Sequence, residues 1–276
     1  METVAVDIQF LRQFEQALDP YRPETSAIPA QVLGYGEIST VIAIAEGDPT
    51  LAYKRMPLFR SAQEAADYVT LYEASMAVFA DIGVRIVPGK MVWLEGENGR
   101  YFVIYLVQEK LQTQSIAHKV IHRLDAAQSQ TLIAGIFDAF EKVFAFNADH
   151  AGVLEVGFDG QLSNWAVPGF DAESGALPQP LELAYLDTSS PLLRRNGVEQ
   201  LNAEIFLRNA PFFLRPILKA LYLEDLVNRY YDLRLVTIDL LGNLYKEQKA
   251  DLVPDLLVLA NDRFAENGSL GQNGRF

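Results

Sequence analysis

The sequence has no cysteine, only three histidines, and 23 basic residues against 36 acidic ones. Without cysteine the chain can form neither a disulfide framework nor a thiolate metal site, and it has no cysteine nucleophile. A formal net charge of -13 argues against a nucleic-acid-binding protein, because phosphate backbones are held by clustered Lys and Arg. The same charge disfavours anionic membrane surfaces. Any chemistry must therefore come from oxygen and nitrogen groups.

Long apolar runs are also missing. No segment approaches the roughly 20 apolar residues that a membrane-spanning helix needs. The amino terminus, METVAVDIQFLRQFEQALDPY, carries acids inside its apolar pattern and lacks the basic start and continuous apolar stretch of a signal peptide. We therefore expect a cytoplasmic protein without a membrane partner.

The few histidines do not form a recognisable metal motif. His118 and His122 stand four residues apart, yet no Glu lies between them as in metalloproteases, and no third ligand is evident. A solvated helix is the ordinary interpretation of this pair. A Gly-x-Ser-x-Gly elbow is absent as well, so the sequence gives no support to a serine hydrolase.

Apolar content, in contrast, is high. Half of the 276 residues are hydrophobic and 11% are aromatic, which is too apolar for a disordered chain. This length exceeds a typical single-core domain. We therefore expect two packed lobes that share one cleft.

The first 108 residues alternate between helical and strand-like patterns. A helix is predicted over about residues 4–18, and QVLGYGEISTVIAIAE and TLAYKRMPL predict two strands around a turn at Gly47-Asp48-Pro49. Residues 61–81 return to a helical period, with Ser61 and Glu64 in capping-box spacing. Two further strands are predicted in VPGKMVWLEG and RYFVIYLVQEKL.

Beyond Gln108 the pattern becomes mostly helical. A long helix is predicted over residues 125–146, and VLEVGFDGQLSNWAV and LELAYLDTS predict short strands. The remainder to about residue 261 has a helical pattern. Residues 265–276 are rich in Gly and Asn, so we expect a disordered tail.

Two motifs in the first half suggest a phosphate-binding site. Gly34 and Gly36 lie in GYGEISTV, and small residues let a bent backbone lie close to phosphates. Lys54 follows on the next predicted strand and Glu73 on the next predicted helix, so the two could form an ion pair. The alternatives are an ordinary bend at the start of a strand and a surface lysine.

Three polar residues in the second half complete the pattern. Asn164 lies among apolar neighbours that would not bury an amide without a partner or a metal, and Asp187 ends the apolar run Leu183–Leu186. A capping role is the alternative for Asp187. Asp159 precedes Asn164 by five positions, but Asp-Gly between two apolar runs is also a strong hairpin signal. A turn and a catalytic base are both open for Asp159.

In this order, the segments resemble the protein-kinase-like superfamily over roughly residues 32–245. GYGEISTV is similar to a kinase glycine-rich loop with Ser39 in place of the third glycine, and Ala52-Tyr53-Lys54 is similar to the Val-Ala-Ile-Lys segment. The Asp159 to Asn164 spacing resembles the catalytic loop, and Asp187 resembles the Asp of Asp-Phe-Gly.

Several departures point away from regulated protein kinases. Gly157 stands where a His is usual, Thr188-Ser189 replaces Phe-Gly, and no Ala-Pro-Glu segment is recognisable. The chain is therefore closer in character to aminoglycoside and choline phosphotransferases. The departures also leave a pseudokinase open.

The resemblance implies an α+β, bilobal protein-kinase-like fold. Its β-rich N-lobe would span residues 1–108 and its larger, mainly helical C-lobe residues 109–264. It also implies that ATP and Mg²⁺ are bound. The implied site residues are Gly34, Gly36, Lys54 and Glu73 for the nucleotide, Asn164 and Asp187 for the metal, and Asp159 as catalytic base.

The function expected from the resemblance is transfer of a phosphoryl group to a small-molecule hydroxyl. A non-catalytic nucleotide-binding or scaffold protein is one alternative, motivated by the residues that replace the usual His and Phe-Gly. A nucleotidyltransferase of the same fold is another. No motif indicates which acceptor is used or which oligomeric state the protein adopts.

Overall fold

The computed structural model describes residues 3–36, 38–96, 99, 101–208 and 227–266. An N-terminal sheet region is followed by a mostly helical region, as expected for a mixed α and β protein. Within these residues, no helix combines the length and apolar character needed to cross a bilayer. Residues 209–226, which belong to the part predicted to be helical, lie outside the described residues.

Among its described residues, the sheet region contains two helices and five strands. Their bounds are α1 Ile8–Ala17, β1 Ala30–Tyr35, β2 Thr40–Ile44, β3 Leu51–Phe59, α2 Ala62–Ile82, β4 Gly89–Glu95 and β5 Phe102–Glu109. The strands form one antiparallel sheet in the order β1-β2-β3-β5-β4. The prediction of a single strand over QVLGYGEISTVIAIAE is wrong, because a turn between Tyr35 and Thr40 divides this segment into the paired strands β1 and β2. The helix after β3 and the last two strands occur in the predicted order.

The described part of the helical region adds four helices and short strands, with 3-10 turns between them. Their bounds are α3 Ala117–Val120, α4 Ala126–Asp149, β6 Leu154–Val156, β7 Trp165–Ala166, β8 Ala184–Tyr185, β9 Leu193–Arg195, β10 Val198–Glu199, α5 Leu233–Lys246 and α6 Val253–Glu266. The expected tail, residues 265–276, starts inside α6. Residues 267–276 lie outside the described residues.

Side chains on β3 alternate between the two faces of the sheet. Leu51 and Tyr53 pack in the apolar cluster that contains α1, whereas Met56 packs in the cluster that contains α2. Since successive side chains of a strand point to opposite faces, Lys54 lies on the α2 face. The strand thus presents a lysine to the side of the sheet that also faces the helical region.

Helix α2 has a defined start and end. The Ser61 hydroxyl accepts a hydrogen bond from the Glu64 backbone N–H at 3.1 Å, as the predicted cap requires. The Glu64 carboxylate instead accepts from the Arg60 backbone N–H at 2.8 Å. The helix ends at Gly83, whose φ of 76° is the left-handed conformation that glycine adopts without steric cost. These two ends set the length of the helix beside Lys54.

A buried ion pair fastens α1 to the other face of the sheet. Arg55 on β3 donates from Nε to Glu15 Oε2 at 2.8 Å and from Nη2 to Glu15 Oε1 at 2.6 Å. The hydroxyls of Tyr101 and Tyr105 also donate to this carboxylate. Burial acts to raise the pKa of Glu15, but Arg55 and the two tyrosines lower it overall. This pair was not predicted from the sequence, although Glu15 follows Leu11 by four residues and so lies on the apolar face of the predicted helix.

Breaking this pair is expected to destabilise the fold. Replacing Glu15 by Gln removes the charge that compensates buried Arg55, so the free energy of unfolding should fall by about 3 kcal/mol. Urea unfolding measures the change, and Arg12→Gln, at an exposed position of the same helix, is the matched control with an effect below roughly 0.5 kcal/mol. Equal stability of Glu15→Gln and wild type would contradict a structural role for the pair.

Candidate functional site

A cleft of about 810 Å³ lies between the α2 face of the sheet and the segments around β7 and β8. It is lined by all but one of the residues predicted to form the site. Those that line it are Gly34, Gly36, Lys54, Asp159, Asn164 and Asp187. The exception is Glu73. The cleft thus gathers side chains that lie far apart in the sequence.

The two glycines stand where β1 turns into β2. The Gly36 backbone N–H donates to the Ser39 carbonyl at 2.9 Å, and a Cβ on Gly36 would lie 2.7 Å from Ser39 Oγ. The contact is with the movable end of a side chain, so the turn brings Gly36 close to Ser39 without strictly requiring a glycine. Gly34 lies next to a β-bulge and has open space where a Cβ would stand. A glycine there leaves the backbone accessible from the cleft.

Lys54 makes the central contact of the site. Its Nζ donates to Asp187 Oδ1 at 2.8 Å and to Ser189 Oγ at 2.8 Å. Ser189 Oγ in turn donates to Asp187 Oδ1 at 2.8 Å. Burial acts to raise the pKa of Asp187, but the charge of Lys54 and the hydrogen bonds from Lys54 and Ser189 lower it overall. Asp187 is therefore held as a carboxylate.

The β7–β8 ladder brings Asn164 beside Asp187. Trp165 pairs with Tyr185, and the Leu186 backbone N–H donates to the Asn164 carbonyl at 2.8 Å. The Asn164 side chain donates from Nδ2 to the Asp159 carbonyl at 3.2 Å. This places an amide oxygen and a carboxylate at the ends of two paired strands, where both line the cleft.

Asp159 is not the turn of a hairpin between β6 and β7. β6 pairs with β9 and β7 pairs with β8, so the strands that flank Asp159 belong to different sheets. Its Oδ1 accepts from the Gln161 backbone N–H at 3.2 Å. Burial raises the pKa of Asp159 to about 6, and the charge of Asp187 adds to this, against the hydrogen bond from Gln161.

Gly157, at the position where kinases have a His, is explained by packing. A Cβ there would lie 2.6 Å from the Leu192 Cβ and 3.0 Å from the Tyr231 ring. The Gly157 N–H donates to the Leu192 carbonyl at 3.0 Å, which fixes this close approach. A histidine therefore does not fit at this position.

The prediction that Lys54 and Glu73 form an ion pair is wrong. Glu73 is exposed on α2, while Lys54 binds Asp187 and Ser189. Successive helix residues are about 100° apart, so the residue beside Glu73 faces inward instead. That residue is Tyr72, which is buried and hydrogen-bonds Thr188.

Sequence reasoning also missed the polar residues that hold the segment after Asp187. Tyr68 donates from its hydroxyl to the Ser189 carbonyl at 2.7 Å. Gln108 donates to the Leu186 carbonyl at 3.2 Å and to Thr188 Oγ1 at 3.4 Å. The helical period of α2 predicts that Tyr68 is buried, but nothing local to it indicates what its hydroxyl contacts.

The donors fit a nucleotide-bound magnesium ion better than a free metal ion. The described part of the chain holds no cluster of three or more His, Asp or Glu side chains arranged for a metal, and His122 pairs with Glu247 at 3.2 Å. Mg²⁺ is commonly bound by one or two carboxylates together with substrate phosphates. Asp187 and Asn164 supply one carboxylate and one amide oxygen of this kind.

Comparison with known proteins identifies a family. A family model described as "Family of unknown function (DUF6206)" matches residues 21–271. No curated protein matches the sequence.

Solved structures give only distant similarity. The chain is similar to "WaaP in complex with acyl carrier protein", at 13% identity over 90% of this chain and 98% of that one, with a TM-score of 0.37. It is also similar to the GDP complex of wild-type aminoglycoside 2'-phosphotransferase-IIIa, at 14% identity over 89% and 95%, with a TM-score of 0.39. TM-scores this low do not establish a shared fold. The chemistry of the site therefore rests on its own geometry.

The raised pKa of Asp159 predicts a pH-dependent stability. The folded protein holds this proton up to about pH 6, whereas an unfolded Asp releases it near pH 4. Stability should therefore fall as pH rises through this window and stay lower above it. Asp159→Asn removes the cost of ionisation, so at pH 7.5 the variant should be more stable than wild type by roughly 1 to 3 kcal/mol.

Urea unfolding at pH 4 and pH 7.5 measures this difference, which should nearly vanish at pH 4. Asp81→Asn, on an exposed part of α2, is the matched control and should change stability little at either pH. A destabilised Asp159→Asn variant at pH 7.5 would show that the carboxylate is stabilising there.

Proposed function

The chain belongs to the DUF6206 family of unknown function, and we propose that it binds a nucleoside triphosphate with magnesium and transfers a phosphoryl group to a small-molecule hydroxyl. In this proposal the sheet and helical regions are the two lobes of a kinase-like fold. The Lys54–Asp187 bond across the cleft carries the proposal. It joins a lysine near a glycine-bearing turn to the carboxylate expected to hold the metal.

Packing alone is a poor explanation of this arrangement. A buried or half-buried ion pair pays a desolvation cost that its attraction only partly offsets. Here Asp159 is also placed close enough for the charge of Asp187 to raise its pKa. Two acids, an amide and a lysine that face one cleft form a site for positioning phosphates and neutralising their charge, which is most of what phosphoryl transfer requires.

The residues of the first half would bind the triphosphate. Lys54 would neutralise the α- and β-phosphates, and the backbone around Gly34 and Gly36 would lie against them. Asn164 and Asp187 would hold the magnesium ion. When bound, Mg²⁺ would neutralise the charge of the phosphate oxygens.

Asp159 would act on the acceptor. Its carboxylate would take the proton of the acceptor hydroxyl as that oxygen bonds to the γ-phosphorus. The bond from the γ-phosphorus to its bridging oxygen breaks, and the nucleoside diphosphate leaves with that electron pair. A pKa of about 6 leaves the carboxylate ionised at neutral pH and therefore able to accept the proton.

The walls of the cleft beside Asp159 suit a small acceptor. Phe158 donates from its backbone to the Tyr230 carbonyl at 2.9 Å, so residues around 230 lie next to the base. Tyr230, Val227 and Leu192 line the cleft together with polar Gln161. The excess of acidic residues over the whole chain favours a small molecule over a nucleic acid as acceptor.

Nucleotide binding without transfer is the second candidate. The observation that favours it is the Asp187 carboxylate, which is held on Lys54 and Ser189. A carboxylate held in this way has to exchange Lys54 for the metal before it can act. A nucleotidyltransferase differs in the group transferred, and an adenylyl instead of a phosphoryl mass on the acceptor or on the protein identifies it.

Nucleotide binding is tested by titration calorimetry with MgATP. Lys54→Ala should weaken binding roughly 10- to 100-fold, because hydrogen bonds to charged groups contribute about 1.5 to 3 kcal/mol. Lys90→Ala, at an exposed position of β4, removes a lysine from the same sheet outside the cleft and should leave the affinity unchanged. Equal losses in both variants, or no binding by the wild type, would end the proposal.

Transfer is tested by magnesium-dependent hydrolysis of ATP. Asp159→Asn should reduce turnover by roughly 10²- to 10⁴-fold, since this is the usual contribution of a positioned base. Its MgATP affinity should stay close to that of wild type because Asp159 acts on the acceptor. Binding by the wild type without any turnover would favour the non-catalytic candidate.

A further inference from the structure

We propose that Ser189, held in place by Tyr68, is the positioning residue that orients Lys54 toward the phosphates. This inference rests on the proposed function and goes beyond it. According to this inference, helix α2 supports Lys54 through Tyr68 and Ser189, which are neutral, instead of through the carboxylate of Glu73.

Ser189 is bonded to both members of the central ion pair. Its hydroxyl accepts a hydrogen bond from Lys54 Nζ and donates one to Asp187 Oδ1, each at 2.8 Å. The residue is only 4% exposed, so water cannot readily replace these bonds. A hydroxyl that both accepts and donates specifies the relative positions of the ammonium and the carboxylate. An alanine at this position would leave both groups without that link.

Tyr68 fixes the backbone of Ser189 from the side of α2. Its hydroxyl donates to the Ser189 carbonyl at 2.7 Å. The ring packs edge-on against Phe59, with centroids 5.1 Å apart, and it is buried. These contacts hold the phenol rigidly. Its hydrogen bond therefore fixes the Ser189 backbone relative to α2.

Two further contacts hold the neighbouring residue. Tyr72 on α2 hydrogen-bonds Thr188, and Gln108 at the end of β5 donates to Thr188 Oγ1 at 3.4 Å. The segment from Asp187 to Ser189 is thus fastened by β3, by β5 and by α2. All of these fastening groups except Lys54 are neutral.

The neutral character of these groups affects how strongly Lys54 would bind phosphate. Within the described residues, Asp187 is the carboxylate that pairs with Lys54. With Asp187 engaged by a divalent cation, Ser189 would remain as a neutral partner that orients the ammonium without cancelling its charge. Because the attraction between two charges falls when a third opposes it, a lysine held by a hydroxyl should bind phosphate more strongly than one held by a carboxylate.

The test compares the affinities for ATP and for AMP, measured by titration calorimetry in the full chain. AMP keeps the α-phosphate but lacks the β-phosphate that Lys54 would also neutralise, so the ratio of the two affinities reports how well Lys54 is placed at the β-phosphate. Ser189→Ala should lower this ratio roughly tenfold, the effect of a hydrogen bond to a charged group, because AMP loses only the α-phosphate contact and its affinity should fall less than that of ATP. Ser189→Thr keeps the hydroxyl and should restore the ratio.

The matched control is Ser129→Ala. Ser129 is buried, and among the described residues its hydroxyl has no hydrogen-bond partner. It lies in α4 outside the cleft lining. This variant should leave the ratio unchanged. An equal fall of ATP and AMP affinity in Ser189→Ala would indicate a purely structural role and overturn the inference.

A second variant covers the case in which Ser189→Ala fails to fold. Tyr68→Phe keeps the ring and removes only the bond to the Ser189 carbonyl, so the ratio should fall about two- to fivefold. Circular dichroism establishes that each variant is folded. A wild-type ratio in a folded Tyr68→Phe or Ser189→Ala variant refutes the role of Ser189. No preference for ATP over AMP in the wild type would instead refute the proposed function.

Discussion

The ion pair between Lys54 and Asp187 joins the sheet to the helical region across 133 positions of the chain. A lysine that emerges from a central strand needs an anionic partner when it is largely buried. The partner comes from the segment just after β8, and both residues line the cleft. The positions of the glycine turn, Asn164 and Asp159 matter chemically because they surround this pair.

The rest of the fold holds Lys54 and Asp187 in their relative positions. On one face of the sheet, the buried Arg55–Glu15 pair fastens α1 to β3, while on the other face α2 packs beside Lys54. Arg55 and Lys54 are adjacent in sequence and point to opposite faces. The strand therefore carries a structural ion pair on one side and a site ion pair on the other. Because side chains alternate along β3, Arg55 forms the structural ion pair and Lys54 forms the ion pair of the site.

Close packing explains two of the departures from the kinase-like motifs. Gly157 is small because Leu192 and Tyr231 lie against it, so no histidine can stand before Asp159. Ser189, at the position where the kinase resemblance implied a glycine, uses its hydroxyl to bond both Lys54 and Asp187. The altered residues are thus integrated in the site. They do not by themselves indicate that the site has lost its chemistry.

The sequence alone predicted the order of most elements, the presence of a glycine turn, and four of the polar residues that line the cleft, Lys54, Asp159, Asn164 and Asp187. These follow from local physics: period, capping and turn chemistry act within a few residues. Tertiary structure decided which side chains meet. Lys54 pairs with Asp187 and Ser189 instead of Glu73, because the orientation of α2 about its axis places Tyr72 on the buried side and Glu73 on the exposed side. Glu15 of α1 pairs with Arg55 of β3. Such pairings depend on the relative placement of packed elements, which no local pattern encodes.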